Sequence, residues 1–477
     1  MKKSHFGTKT ASIRTIALLL LLWAAVSFTA AAEPCKIPKS DGSVKPTARG
    51  DWPQAFSNAA HTGKNRFETH LNRKNVPNLT QLWASPVGVG VLYTSPVVSN
   101  GKVYIGSSNA SSNGDDHIYA FDALTGATLW VGAEQSHFFL NSAAVGHGLV
   151  FATAYLSPLT AYDADTGEIA WTSDLPDVAR AAPVLNGSML YVAGFEGQLY
   201  ALDARTGIVH WSTPEECCIY DYTPTVSGDR VFQNRSDSMV RAYDAQTGEE
   251  LWHKSYGIVG SLTAANKKLF VPADPNIVAL DQATGNVVWS APRDTFMYGA
   301  PAVGNGLLFV PQGSGLKAFD LETGTLVWTA PASSLWSPAV ANGVVYASNL
   351  NGEWAAFDAR DGTELWSVTI GLGCGGSCTN GTPAVANGVL YLSRPGQRPA
   401  RVFSPKSLGE TKPARIILVA RTPCREERHS FAGQHFHVAF PVSIPRSYAT
   451  SNHVAPPPRV EVSQRKNIWR LRVAREH

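Results

Sequence analysis

Charge is scarce in this sequence. Asp, Glu, Lys and Arg make up 16% of the residues, against 44% hydrophobic residues. Chains that stay disordered show the opposite balance, so a well-buried body is expected. A basic face is missing too. The formal net charge is +3, but both ends distort it. Residues 1–32 hold Lys2, Lys3, Lys9 and Arg14 and no acid, and residues 411–477 hold 12 Lys and Arg against 4 Asp and Glu. Of 40 basic and 37 acidic residues, the part between keeps 24 and 33, a net charge of −9. Phosphate binding needs a positive surface, so a nucleic acid partner is not expected. No nucleophile elbow, phosphate loop or metalloprotease helix is present, which removes the reactions those motifs carry.

What the sequence does have is aromatic residues and turns: 13 Trp and 41 Gly in 477 residues. The first 32 residues read as an export signal. The four basic residues precede an apolar run from Ile16 to Val26, and Ala30, Ala31 and Ala32 stand before Glu33 as a small-residue cleavage site. The run is short for a membrane span, and an uncleaved anchor is the alternative. Cys35 lacks the aliphatic and small residues that precede a lipid-modified cysteine. A soluble periplasmic or secreted monomer is therefore expected, with no transmembrane span after cleavage.

One segment recurs seven times: AFDALTGATLW (120–130), AYDADTGEIAW (161–171), ALDARTGIVHW (201–211), AYDAQTGEELW (242–252), ALDQATGNVVW (279–289), AFDLETGTLVW (318–328) and AFDARDGTELW (356–366). The D-x-x-T-G stretch is a hairpin turn. Its Asp can accept hydrogen bonds from amides two and three residues on, and its Gly can take the left-handed conformation that closes the turn. The Trp that follows can bury its ring against the neighbouring unit, which is worth roughly 2–4 kcal/mol per unit. Before each copy lies an apolar strand, a turn often holding Asn-Gly, and a second strand, as in SPVVSNGKVYIGS (95–107), APAVGNGLLFVPQ (300–312) and SPAVANGVVYASN (337–349). Asn-Gly is a strong two-residue hairpin signal. Each unit thus holds four antiparallel strands, the form of a propeller blade.

The count predicts an all-β, eight-bladed propeller at 83–410, after an entry segment at 33–82. Eight such hairpins occur, the last at 383–393. Eight docking tryptophans occur: Trp83, Trp130, Trp171, Trp211, Trp252, Trp289, Trp328 and Trp366. In the eighth blade the strand ending at Trp83 joins 383–393. The missing third strand is expected in ARVFSPKSLGE (400–410), where Ser404 stands in place of the turn Asp. Residues 411–477 contain seven Pro and no Asp and are expected to form a disordered tail. A basic tail docked on an anionic surface is the alternative.

The repeat resembles that of the quinoprotein (pyrroloquinoline quinone, PQQ) propeller family. The stretch DWPQAFSNAAHTGKNRFETHLNRKNVPNLTQLW (51–83) is similar to the opening of quinoprotein alcohol dehydrogenases. The same repeat occurs in non-catalytic propellers, including an outer-membrane assembly scaffold, so function has to be argued from the site. In this strand order the connections between blades gather on one face, the expected binding face. Quinoprotein dehydrogenases stack a vicinal disulfide on the quinone, and Cys217 and Cys218 are adjacent here. The resemblance implies PQQ beside this pair, with Trp336, Asp221 and Arg180 as further contacts, and calcium held by Glu, Asn and Asp side chains. No residue matches that calcium set. Asn141 lies in a suitable loop, and Asp115 and Asp116 lie in a long one. His137 or Arg180 could meet an anionic ligand. Each also reads as an ordinary loop residue.

Cys374 and Cys378 frame CGGSC, which in an exported chain reads as a local disulfide. A zinc site would need a second ligand pair, and none stands at suitable spacing. The pairing of Cys35 and Cys424 stays open. Two functions follow. The first is a scaffold that binds a protein or glycan partner through the loop face. The second is a PQQ-dependent alcohol or polymer-alcohol dehydrogenase acting on a small alcohol.

Overall fold

The computed structural model describes residues 50–87, 94–107, 116–135, 141–154, 157–173, 175, 181–194, 197–214, 222–235, 237–257, 260–294, 299–313, 315–331, 336–348, 353–369, 381–393, 415–419, 460–465 and 468–473. The chain divides into two units, 1–423 and 424–477. In the second, the described residues form one antiparallel hairpin, Val460–Arg465 with Ile468–Val473.

The first unit is a propeller of seven four-stranded antiparallel blades, not eight. Blade 1 runs Val97–Ser99, Lys102–Gly106, Ile118–Asp122, Thr128–Val131. Blades 2 to 6 repeat the order from Ala144, Val184, Thr225, Thr263 and Ala302. Blade 7 runs Ala339–Ala341, Val344–Ser348, Glu353–Asp358, Glu364–Thr369, and Lys64–Asn65 adds a short parallel strand to its inner edge.

The expected eighth antiparallel blade is corrected by the pairing after Ser393. Ala384–Ala386 and Val389–Ser393 form the predicted hairpin. The next strand in that sheet is Arg415–Val419, parallel to Val389–Ser393 on one side and to Gln81–Ser85 on the other. In blades 1 to 7 the third strand runs antiparallel to the second, and the Asp-Gly turn then returns the chain into the fourth. A parallel neighbour instead requires the chain to cross over and re-enter from the same end. The expected strand at 400–410, with Ser404, lies outside the described residues. The region expected to be a disordered tail supplies Arg415–Val419 and the hairpin at 460–473.

The repeat explains the regularity of the blades. In six of the seven turns one Oδ1 accepts from the amides two and three residues on, as Asp203 does from Arg205 (3.0 Å) and Thr206 (2.9 Å). Blade 7, whose turn reads D-A-R-D-G, differs: Asp358 accepts from Arg360 and Asp361 accepts from the Thr363 amide. A β-bulge marks the third-to-fourth strand pairing of all seven blades, at Ala120/Phe121 in blade 1. Such a bulge sharpens the local twist that a blade needs.

The tryptophans dock across the seams between sheets. Trp289 donates Nε1–H to Leu321 O of the next blade (3.2 Å) and lies on Gly324, whose φ is +72°. A Cβ there would come 2.5 Å from the Trp289 ring, so this glycine serves the turn and the docking together. Trp83, Trp130, Trp211, Trp252 and Trp328 donate to the equivalent carbonyls of Ala123, Ala164, Ala245, Gln282 and Ala359. Trp171 also lies on its glycine, Gly207, but its buried Nε1 has no partner. Trp366 has no such turn to meet among the described residues. Its strand packs beside the short 3-10 helix Val76–Asn78 of the entry segment.

Candidate functional site

The first-to-second and third-to-fourth turns of the blades lie on one face, and the second-to-third and between-blade connections lie on the other. This second, loop face is where the sequence places a site. Its described inner rim is bound by hydroxyls. Two residues before each inner strand stands a Ser, Thr or Ala, and in four cases a hydroxyl of the adjacent sheet accepts the amide at that position. Ser95 N–H donates to Ser142 Oγ (3.2 Å), Ala182 to Thr223 (3.2 Å), Ala300 to Ser337 (2.6 Å) and Thr382 to Ser95 (2.6 Å). The last of these joins the mixed sheet to blade 1. Small residues are required here because the strands converge.

Outside this rim, blades 4 to 6 carry a set of ion pairs. Arg293, at the end of blade 5, is held by Asp274 at 3.2 Å. Its side chain is 3% exposed, while that of Asp274 is 71% exposed. Burial pulls the guanidinium below its ordinary pKa, and Nη1 has no partner. Lys317 pairs with Asp294 at 2.7 Å, and the Asp294 amide donates to Gln312 Oε1 at 3.0 Å. In blade 4, Arg241 meets Asp237 at 2.6 Å and Glu250 at 3.7 Å. Arg235, also buried, donates to the Tyr243 hydroxyl at 3.0 Å. The cations are thus buried or half-buried, and several of their acids reach solvent. Such an arrangement can recognise a polar, charge-patterned surface.

Of the residues singled out in the sequence, Cys217, Cys218, Asp221, Arg180, His137, Asp115, Cys374, Cys378, Cys35 and Cys424 lie outside the described residues. Trp336, just before the inner strand of blade 7, is half-buried. Asn141 is half-buried with an unpartnered Nδ2, and Asp116 is half-buried. Among the described residues no three His, Cys, Asp or Glu side chains converge to hold a metal ion. Sequence reasoning missed Arg235, Arg241 and Arg293. The repeat calls for no Arg at these positions, and Arg235 and Arg293 stand just past the loop-face ends of their strands.

Comparison with known proteins fits this geometry. The family model described as outer membrane protein assembly factor BamB matches residues 156–292 and 273–404. Outer membrane protein assembly factor BamB of Burkholderia pseudomallei is 27% identical over 267 residues, covering 45% of this chain and 70% of that protein. A polyvinylalcohol dehydrogenase of a Pseudomonas species is 27% identical over 176 residues, covering 30% of this chain but only 28% of that protein. Among solved structures, quinohemoprotein alcohol dehydrogenase from Comamonas testosteroni aligns with a TM-score of 0.60 at 16% identity, over 76% of this chain and 77% of that one. At that identity the likeness speaks to the fold alone.

Proposed function

We propose, for a chain that belongs to the family of outer membrane protein assembly factor BamB, the role of an exported scaffold that binds a protein partner through its loop face. The observation that carries this reading is the rim of blades 4 to 6, where Arg293 and Lys317 are anchored in the body and Asp274 and Asp294 face outward. A partner meeting this rim is steered by charge and held by polar contacts, as in transient assemblies. The chain carries an export signal cleaved after Ala32 and works in the periplasm or outside the cell as a monomer. A glycan partner is an outcome of the same test. Cross-linking of the exported protein in its host cells, followed by identification of the captured species, is the direct measurement. Asp274→Lys with Asp294→Lys should reduce capture at least about tenfold. Because these carboxylates pair with Arg293 and Lys317, the β-sheet circular dichroism of the variant is measured alongside to show that the blades remain folded. Undiminished capture would remove the rim from the interface.

A second reading is favoured by the local likeness to polyvinylalcohol dehydrogenase. In it, PQQ lies against a Cys217–Cys218 disulfide, near Trp336, Asp221 and Arg180, and a small or polymeric alcohol is oxidised. Adding PQQ and calcium to the purified protein and following the quinone spectrum and dye reduction separates the readings. A bound quinone with alcohol-dependent reduction would favour the dehydrogenase.

A further inference from the structure

The inner edge of a propeller presents a recurring problem. The middle residue of each innermost strand points backbone groups into the channel, where no further strand pairs with them. In this molecule one stretch of chain meets all of them, in blade order. Trp52 exchanges two backbone hydrogen bonds with Val98 of blade 1, at 2.9 and 2.7 Å. Pro53 O accepts from Val145 of blade 2. Gln54 acts as a peptide group: its Oε1 accepts from Leu185 N–H of blade 3 (2.9 Å) and its Nε2 donates to Leu185 O (3.2 Å). Ala59 O accepts from Val226 of blade 4, Ala60 O from Ala264 of blade 5, Thr62 O from Val303 of blade 6 and Gly63 O from Val340 of blade 7, at 2.6–2.8 Å. Asn65 Nδ2 then donates to Val385 O of the mixed sheet (2.8 Å) and to Gly50 O (2.7 Å), so the stretch ends where it began. Asp51 pins that seam, accepting from the Asn100 amide of blade 1 and from Asn387 Nδ2 of the mixed sheet.

The same stretch is shaped for its own path. Residues 54–63 fold into a compact turn, with Ser57 N–H donating to Gln54 O, His61 to Asn58 O and Gly63 to Phe56 O. Phe56, Ser57 and His61 all take positive φ. Three non-glycine residues in that region are costly and persist only where surrounding contacts fix them.

We infer that the eight inner strands form a receptor ring for one extended peptide, and that residues 50–65 are its resident ligand, a strap that closes the ring by noncovalent contacts. In this molecule the strap does for the ring what an antiparallel eighth blade would otherwise do. Its recognition is mostly backbone to backbone, with Gln54 and Asn65 bonding inner-strand backbone groups through their side chains and Asp51 and His61 adding contacts.

The test uses the full chain. Arg66 and Phe67 are exposed just past the strap, so a specific protease site is inserted between them and cut after folding. The strap fragment should remain with the ring through gel filtration and leave only in the urea range where the β-sheet circular dichroism is lost. Gln54→Leu with Asn65→Leu should speed its release roughly tenfold or more. Release while the sheet signal stays intact overturns the inference, as does immediate unfolding on cutting. Amide exchange on the uncut chain gives an independent reading. The amides of Val98, Val145, Val226, Ala264, Val303 and Val340 should exchange as one slow group, and fast exchange at these positions also overturns it.

Discussion

At the residue scale, His61 shows how closely the strap is fitted. The ring is fully buried. Its Nδ1–H donates to Leu262 O at 3.1 Å, Thr225 Oγ1 stands 3.0 Å from the same nitrogen, and Nε2 has no partner. Burial lowers its pKa from 6.5 to about 3. The unfolded chain therefore takes up the proton first as pH falls. Stability from this group is present above pH 6.5 and is lost as pH falls towards 3. His61→Phe should flatten this part of the stability curve, measured by urea unfolding at each pH. A second, lower window belongs to the turns. Backbone or side-chain bonds from the following Thr hold Asp163, Asp203, Asp244, Asp281 and Asp320 below the ordinary value of 3.8. Their contribution is present above that value and is lost only as pH falls through the lowered values. Both windows weaken the protein in acid, and His61→Phe should leave the second untouched. At Gly324, alanine would meet the Trp289 ring and a strained φ together, so Gly324→Ala should cost about 1–3 kcal/mol in the same assay.

At the element scale, what was legible followed from local chemistry. Asp, Gly and Trp at fixed offsets specify a turn and its docking partner, and seven blades follow from seven copies. Trp366 and Tyr346 show where that logic stops. The buried Tyr104 and Tyr191 hydroxyls donate to Ala164 O and Ala245 O of the next blade. Tyr346, at the same position in blade 7, is buried without a partner. The third strand of the mixed sheet was misplaced at 400–410 because turn spacing assumes an antiparallel return. Arg415–Val419 has no turn signature, and a parallel pairing leaves none to read. Ile417 lies in register with Tyr391 at the centre of that strand. Ile417→Pro would remove a ladder donor and should cost about 1–3 kcal/mol. Amide exchange should quicken across Val389–Ser393 and Gln81–Ser85 and stay unchanged in blades 3 to 5.

At the scale of the whole molecule, the sequence revealed a ring but not what fastens it. The stretch DWPQAFSNAAHTGKN has no period, and most of its partners are backbone amides, which carry no residue identity. The loop-face ion pairs were hidden for a related reason, since Arg235 meets Tyr243 and Arg293 meets Asp274 only once the strands of a blade pair. The bonds that complete the ring also span long stretches of the chain. Asn65 reaches Val385 and Glu68 accepts from Gly388, each across 320 residues. Contacts of such separation form late, after the local hairpins. Stopped-flow refolding with pulsed amide labelling should therefore show the blade hairpins protected before Val98, Val145 and Val340.

The order in which the chain is made then matters. Residues 50–65 precede in the chain every strand they bind, and their latest partners, Val385 and Asn387, come near the end of the repeat. Until then the strap carries Trp52, wholly buried in the finished ring, with nothing to bury it against. A strap made first is thus sheltered last, and the folding yield should depend on whatever keeps residues 50–65 from sticking elsewhere in the meantime.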